Sequence, residues 1–386
     1  MKMTNFIPFA RQTIDETDIN AVSQALQQNY ITRGPTVQAF ECAIADRVGA
    51  SHAVAFSSGS SALNAAYQAA GISSSDKVIA SPNSYIATVS GALSHGAKLR
   101  LVDIDSYGNM DLNLLDEETV APFSRGKTFI VPTHFAGVAV EMERLFGMVR
   151  TPDVVIIEDG AHALGSHYPD GKLVGSCAYS DMTVFSFHAS KNITCGEGGM
   201  VTTNDPDLFS RLQKLRDNGI EREASLSRPW YYEVKDLCCN GHMSDIQAAL
   251  GLSQLKRLED FCKQKSFLIG LYREMLEKVP GVQLFCGDVD KRTHYHLFEV
   301  HIEFELFNTD RTKVMERLFE QEIGSQYHYV PLYAHGAVQP LCRQTKEMFP
   351  VMENHLQKAL SLPLFSSMQE TDVERVVTAL RTVLLR

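Results

Sequence analysis

A lysine and an aspartate each follow a predicted strand of this sequence. Asp159 ends the apolar run "VVIIED", and Lys191 comes shortly after "TVFSF" in "SFHASKN". Functional groups in an open α/β sheet collect outside the carboxyl ends of the strands. If these two strands are parallel neighbours, both side chains project into one crevice. Each residue also has a common structural alternative, because an aspartate often caps a helix and most lysines are solvated surface groups.

A turn of small residues supplies a third feature. The stretch "AVAFSSGSSALNAAYQAAG" predicts a strand, a turn and a helix that begins near Ser60 and Ser61. Free N–H groups at a helix N-terminus can bind a phosphate. The spacing matches neither G-x-x-x-x-G-K-S/T nor G-x-G-x-x-G, which excludes an NTPase P-loop and a dinucleotide fingerprint. A single-phosphate ligand fits the turn better, although a plain Ser/Gly turn that caps a helix is the commoner use of such residues.

An aromatic residue and a hydroxyl complete the set. Tyr85 in "SPNSYIAT" can stack on a flat ring, and Ser186 lies at the strand end before Lys191. Pyridoxal phosphate (PLP) needs a lysine for a Schiff base, a carboxylate that keeps its ring nitrogen protonated, and an anchor for its phosphate. The residues therefore predict a PLP site that contains Lys191 and Asp159.

The elements that position these residues can be read from the hydrophobic pattern. Seven short apolar runs predict strands at Ala53–Phe56, Val78–Ala80, Leu99–Asp103, Thr128–Pro132, Val154–Asp159, Thr183–Phe187 and Met200–Thr203. Helix-like segments lie among them or just after, including Ser61–Ala70, Ile86–Ser94, Met142–Val149 and Asp205–Leu215. Several strands are continuously apolar, which is typical of burial on both faces. This alternation predicts an α/β domain with a mostly parallel sheet.

Further segments flank the sheet. Helices are predicted at Asp18–Gln28, Val37–Val48, Ser244–Leu258 and Gln264–Lys278, with Ser244 as a cap. Strands at Val282–Phe285 and His294–Phe304, and helices at Thr312–Gln321 and Glu370–Leu385, predict a smaller α+β domain. We therefore divide the chain into a large PLP-binding domain, residues 1–250, and a small C-terminal domain, residues 251–386.

Composition excludes several other classes of protein. The 386 residues are 44% hydrophobic and 21% charged with a net charge of −10, so nucleic acid and anionic membranes are poor partners. Eight cysteines without a C-x-x-C pair predict a reduced, cytoplasmic protein. We see no signal peptide and no membrane span. His294 and His296 share a predicted strand face, but no third ligand follows at zinc-like spacing, so we expect no metal site.

Several motifs resemble those of one enzyme family. The chain is similar to the fold-type I, PLP-dependent sugar-nucleotide aminotransferases of the DegT/StrS type. The resemblance runs nearly end to end through "IPFARQTIDETD", "YITRGP", "SSGSSAL", "IEDGAHALG", "SFHASKNITCGEGG", "NGHMSDIQAALGLSQL" and "YHYVPLY". It implies a PLP-dependent transaminase that forms a homodimer.

The resemblance also implies roles for individual residues. Lys191 would form the Schiff base, Asp159 would face the pyridine nitrogen, and His162 would lie near the phenolic oxygen of the cofactor. Gly59, Ser60 and Ser186 fall on phosphate-binding positions, and Tyr85 on that of the stacking aromatic. Asn240 matches a residue that reaches the phosphate of the neighbouring subunit's cofactor, which implies sites shared across the dimer.

The substrate expectation rests on the same resemblance. "RQTID", "SDMTVFSFH" and "PWYYE" resemble the branch that aminates C4 of a UDP-linked 4-keto-6-deoxy-N-acetylhexosamine in pseudaminic acid biosynthesis, with L-glutamate as the expected donor. The predicted substrate contacts are Phe9, Asn29, Tyr30, Ile31, Thr32, His188, Tyr327, His328 and Tyr329.

Two departures from the family pattern leave alternatives open. His242 stands where the family usually has an arginine, and Tyr327 stands where valine is usual and predicts a narrower pocket. Another keto sugar nucleotide, such as a GDP-linked or dTDP-linked sugar or a 3-keto sugar, is the first alternative. A PLP-dependent sugar dehydratase of the same fold would carry a histidine in place of Lys191. A non-catalytic sensor is the third alternative, but no DNA-binding extension or basic region accompanies this chain.

Overall fold

One sheet of seven strands organises the first half of the chain. The computed structural model describes residues 5–121, 126–221, 228, 230–285 and 292–385. The strands are β1 (His52–Phe56), β2 (Lys77–Ala80), β3 (Lys98–Leu101), β4 (Thr128–Val131), β5 (Val154–Asp159), β6 (Met182–Ser186) and β7 (Gly199–Thr203). Their order is β1-β7-β6-β5-β4-β2-β3, in which β7 is antiparallel to both neighbours and the other pairs are parallel. The predicted mostly parallel sheet is confirmed.

Helices cover both faces of this sheet, which explains the continuously apolar strands. They are α1 (Glu16–Leu26), α2 (Pro35–Val48), α3 (Gly59–Ala69), α4 (Ala87–Ser94), α5 (Glu117–Val120), α6 (Met142–Val149), α7 (Pro206–Arg216) and α8 (Asp245–Leu255). Ile156 of β5 packs in one core with α2, α6 and α8. Ile157, which points the other way, packs in a second core with α3, α4 and α7. Ser244 caps α8, as predicted, through a reciprocal pair with Gln247.

A smaller sheet lies in the C-terminal half. Strands β8 (Ile220–Glu221) and β9 (Glu233–Val234) pair antiparallel, and β10 (Val282–Leu284), β11 (Phe298–Ile302) and β12 (Ala359–Leu362) form a separate antiparallel sheet. Helices α9 (Leu258–Leu276), α10 (Arg311–Glu320) and α12 (Glu370–Leu384) pack on this sheet, and α11 (Pro350–Lys358) precedes β12. The predicted strand His294–Phe304 is wrong at its start, because β11 begins only at Phe298.

The chain passes more than once between the large sheet and the three-stranded sheet. Ile7, near the N-terminus, packs in the core of the smaller sheet. Leu332, Phe349 and Met352 pack instead in a core of the large sheet. The division at residue 250 stays a prediction. A segment before residue 250 packs on the three-stranded sheet, and segments after residue 250 pack on the large sheet. None of the helices in the described ranges combines the length and hydropathy that a membrane span requires.

Candidate active site

The carboxyl ends of β5 and β6 and the N-terminus of α3 border a cavity of about 440 Å³. The predicted site residues in its wall are Gly59, Ser60, Tyr85, Asp159, His162, Ser186, His188, Lys191 and Tyr329. These positions are far apart in sequence and meet because β5 and β6 are parallel neighbours. The structure therefore brings the predicted lysine, carboxylate and small-residue turn together.

Asp159 is the last residue of β5 and is only 4% exposed. Its Oδ2 accepts a hydrogen bond from the Thr88 hydroxyl at 2.6 Å, and its Oδ1 accepts one from the Ala161 N–H at 3.1 Å. These two donors orient the carboxylate at the cavity wall. A carboxylate in this position favours the protonated form of a basic nitrogen that binds beside it.

Lys191 lies in the loop after β6, where its backbone N–H donates to the carbonyl oxygen of His188 at 2.9 Å. Burial lowers the pKa of its amine to about 8, although the negative charge of Asp159 acts in the opposite direction. At neutral pH, a larger fraction of this amine is therefore unprotonated than of an exposed lysine. An amine that acts as nucleophile and as proton carrier needs this property.

Two close backbone approaches place the N-terminus of α3 at the cavity. Ser58 caps the helix by accepting a hydrogen bond from the Ser61 N–H at 3.1 Å. A Cβ at Gly59 would lie 2.9 Å from Cβ of Ser186, and one at Gly199 would lie 2.3 Å from the carbonyl oxygen of Ser58. Only glycine permits both approaches, so the first residues of the helix form a cradle beside β6 that suits a phosphate.

His162 and Tyr329 form another part of the wall. The Tyr329 hydroxyl lies 3.0 Å from Nε2 of His162, and the His162 ring lies 4.3 Å from the ring of His296. Burial lowers the pKa of His162 well below 6.5, and the charges of Lys191 and His328 act in the same direction, so the imidazole is neutral. Its Nδ1 is buried and has no hydrogen-bond partner among the described residues. A bound ligand would satisfy this atom.

Three hydroxyl residues that the sequence reasoning missed support Asp159. Thr133 follows β4 and pairs in register with Asp159. Its hydroxyl lies 2.9 Å from that of Ser84, and Ser84 contacts Thr88, which donates to Asp159. The strand-end rule that found Asp159 could also have found Thr133, whereas nothing in the sequence marks Ser84 or Thr88.

Several predicted substrate contacts lie outside the cavity wall. Phe9 packs 5.1 Å from the ring of His328, whose Nδ1 lies 2.9 Å from the Ser361 hydroxyl. The Tyr327 ring lies over the Arg311 guanidinium at 4.0 Å, so it does not narrow the cavity as expected. His188 does line the cavity, at its solvent-exposed rim beside Glu197.

The remaining predicted contacts meet on the surface. We call this region the outer patch; it consists of Asn29 to Arg33, Asp217, Asn240 and His242. Asn240 pairs with Asp217, and Asp217 accepts hydrogen bonds from Arg33 at 2.5 Å and from Nε2 of His242 at 3.1 Å. Tyr30 is 64% exposed.

In the described part of the chain, His294 and His296 belong to no group of three possible metal ligands. His294 and His296 precede β11 instead of sharing a strand face. Glu299 and His301 of β11 and His355 of α11 do form such a group. However, Nδ1 of His355 faces His301 at 3.0 Å while its Nε2 faces Glu299 at 3.4 Å. The partners contact opposite nitrogens of one ring, which is the geometry of a polar chain and not of a shared tetrahedral site.

Comparison with known proteins identifies the family. A model described as the DegT/DnrJ/EryC1/StrS aminotransferase family matches residues 12–381. The chain belongs to this family. The aminotransferase is 34% identical over 389 residues to the spore coat polysaccharide biosynthesis protein SpsC of Bacillus subtilis, with 99% of this chain and 98% of that protein covered.

Solved structures agree with this assignment. Helicobacter pylori PseC, an aminotransferase involved in the biosynthesis of pseudoaminic acid, matches with a TM-score of 0.88 and 27% identity over 98% of this chain and 99% of that one. The PLP form of a putative sugar aminotransferase, Spr1654 from Streptococcus pneumoniae, matches with a TM-score of 0.87 and 26% identity over 98% and 99%. The fold is therefore fold-type I, and the protein is a PLP-dependent sugar aminotransferase.

Proposed function

We propose that this aminotransferase moves an amino group from L-glutamate to C4 of a UDP-linked 4-keto-6-deoxy-N-acetylhexosamine. The observation that carries the amino transfer is the convergence of Lys191 and Asp159 on one cavity beside the N-terminus of α3. The sugar is supported by the likeness to PseC, whose described role is pseudoaminic acid biosynthesis. A nucleotide-linked keto sugar is common to this proposal and to its first alternatives.

The residues of the cavity fit PLP. Lys191 supplies the amine, Asp159 the carboxylate, and the glycine-lined cradle at Gly59 a place for the phosphate, while His162 offers the unpartnered Nδ1 to an oxygen. When bound, PLP supplies an electron sink that makes the C–H bond next to a substrate nitrogen acidic. Ser60 and Ser186 add hydroxyls at the phosphate end.

The chain's own groups then have distinct tasks. Asp159, fixed by Thr88, holds a proton on the ring nitrogen by its negative charge. Lys191 Nζ takes the proton from the substrate carbon and returns it, a task suited to an amine with a pKa of about 8. Tyr85, at the cavity mouth and 6.1 Å from Tyr329, covers one side and limits the access of water.

Replacement of Lys191 tests the reaction type. Lys191→Ala should abolish turnover and the visible absorbance of covalently bound cofactor, because no other described residue of the cavity wall supplies a primary amine. Lys263→Ala, on the exposed surface of α9, is the matched control and should behave as wild type. Full transaminase activity in Lys191→Ala would overturn the assignment.

A panel of substrates tests the sugar. The enzyme is first converted to its amino form with L-glutamate, and its re-oxidation is then followed with UDP-, dTDP- and GDP-linked 4-keto sugars. The UDP-linked 4-keto-6-deoxy-N-acetylhexosamine should react fastest. A faster GDP- or dTDP-linked sugar would change the nucleotide, a 3-keto sugar would change the position of amination, and reaction with non-sugar keto acids alone would overturn the sugar assignment.

We also propose a homodimer in which each cavity receives residues from the partner. Asn240 and the turn Asn29 to Thr32 lie in the outer patch and do not line the cavity of their own chain, and Tyr30 exposes apolar surface there. Mixing Asn240→Ala with Lys191→Ala subunits should restore activity, to about a quarter of wild type if subunits pair at random. Proven subunit exchange without any recovery would contradict shared sites.

A further inference from the structure

A second buried lysine lies behind the Lys191 loop. Lys265 of α9 is 5% exposed, and its Nζ donates to Oδ1 of Asn192 at 3.0 Å and to the carbonyl oxygen of Tyr295 at 3.3 Å. Burial lowers the pKa of Lys265 to about 8; the neighbouring Cys262 thiol acts in the opposite direction, and the positive charge of Lys191 acts in the same direction as burial. The two lysines therefore interact electrostatically across the loop.

Asn192 connects Lys265 to the site. It directly follows Lys191, and its Nδ2 donates to the carbonyl oxygens of Leu164 at 3.2 Å and His294 at 3.3 Å. Leu164 belongs to the loop that follows Asp159. Because Lys265 is a donor only, it requires Oδ1 on its side and so directs Nδ2 toward these carbonyls. The amide thereby ties the Lys191 loop to the loop that follows Asp159.

A buried lysine at this position lowers the stability of the fold. Within the described ranges no carboxylate forms an ion pair with Lys265. A buried charge without a counter-ion destabilises the fold, and an apolar side chain of similar volume would avoid that cost. A polar partner for Asn192 alone does not require a charge, since a glutamine amide could donate the same hydrogen bond.

We propose that Lys265 is a positioning residue for Lys191, which it holds through Asn192 and whose neutral form it favours by its positive charge. The inference rests on the proposed role of Lys191. Two neighbouring positive charges disfavour each other, so loss of the charge at position 265 raises the pKa of Lys191. Less of the reactive, neutral amine is then present at neutral pH.

The test measures the Lys191 amine directly. PLP is removed, and the rate at which added PLP recombines with the apoenzyme is followed by visible absorbance between pH 6 and 10. In Lys265→Gln, which keeps a donor for Asn192, the midpoint of the rate profile should rise by about 0.5–1 unit, and the rate at pH 7 should fall about 3–10-fold. Lys265→Met should show the same shift and also a lower rate at the alkaline limit, because Asn192 loses its partner.

Controls separate this inference from the proposed function. Lys263→Gln removes an exposed charge of the same helix and should leave the profile unchanged. An unchanged midpoint in Lys265→Gln would overturn the inference, and if Lys265→Met does not fold by circular dichroism, the Gln variant decides alone. Recombination of wild-type rate and spectrum in Lys191→Ala would instead overturn the role of Lys191. Loss in Lys191→Ala with no shift in Lys265→Gln overturns only the role of Lys265.

Discussion

Two consecutive carboxylates of β5 occupy contrasting environments. Glu158 is fully buried and accepts hydrogen bonds from Nε2 of His134 at 2.8 Å and from the Tyr168 hydroxyl at 2.6 Å. Its other oxygen accepts hydrogen bonds from the Thr183 hydroxyl at 2.9 Å and from Ser180. Nδ1 of His134 accepts the Val140 N–H, so the ring proton lies on Nε2 and points at Glu158.

Asp159 points to the opposite face and has fewer partners. Thr88 and the Ala161 N–H orient its two oxygens, and the cavity leaves room for one more donor. A carboxylate saturated by fixed donors stabilises the fold, whereas a carboxylate with an open side beside a cavity can take part in chemistry. Strand alternation places the two carboxylates on opposite faces of the sheet. The residues that surround each face then determine which carboxylate stabilises the fold and which takes part in chemistry.

Replacement of Asp159 should impair the reaction more than any other substitution in this part of the molecule. Asp159→Asn should lower kcat/KM for the complete reaction about 10²–10³-fold, because a neutral amide cannot hold the proton on the ring nitrogen. Cofactor content by absorbance and unfolding by urea should stay near wild type. Wild-type rates in this variant would remove Asp159 from the mechanism.

Glu158→Gln should destabilise the fold. The amide offers one acceptor oxygen and turns its NH₂ toward groups that are already donors, which should lower the free energy of unfolding by about 3 kcal/mol. Urea unfolding followed by circular dichroism measures the loss. The molecules that remain folded should keep their activity, and a chemical defect without a stability defect would reverse the two roles.

Thr88→Val tests the support of Asp159. Loss of this hydroxyl removes one charge-assisted hydrogen bond at nearly constant volume, and we expect about a tenfold lower kcat/KM. Thr88→Ser keeps the hydroxyl and should retain most of the activity. If both variants were equally impaired, the methyl group of Thr88 and not its hydrogen bond would be responsible.

Acidification should reduce the difference in stability between wild type and Glu158→Gln. Burial alone would raise the pKa of Glu158, but the hydrogen bonds from His134, Ser180 and Tyr168 outweigh it and hold the pKa below 4.5. A lowered folded-state pKa contributes stability above pH 4.5 that is lost as the pH falls through the folded value. The stability gap between wild type and Glu158→Gln should therefore shrink on acidification, which urea unfolding at several pH values would show. A constant gap would contradict this linkage.

The parts predictable from sequence are those encoded by local patterns. Apolar runs located all seven strands of the large sheet, and their ends located Asp159 and Lys191. The contact between Lys265 and Asn192 spans 73 residues and has no local signal. Strand β12 was not predicted because "KALSLPLF" is short and contains a proline. The orientation of Tyr327 depends on Arg311 of α10, which the local sequence does not indicate.

The position of β1 has a consequence for synthesis of the protein on the ribosome. His52 pairs with Thr203, and β1 has no other neighbour in the sheet. Until β7 has been synthesised, β1 therefore lacks its partner strand, and Ser58 lacks the close approach of Gly199. An unpaired strand of this kind can mispair with other chains during synthesis.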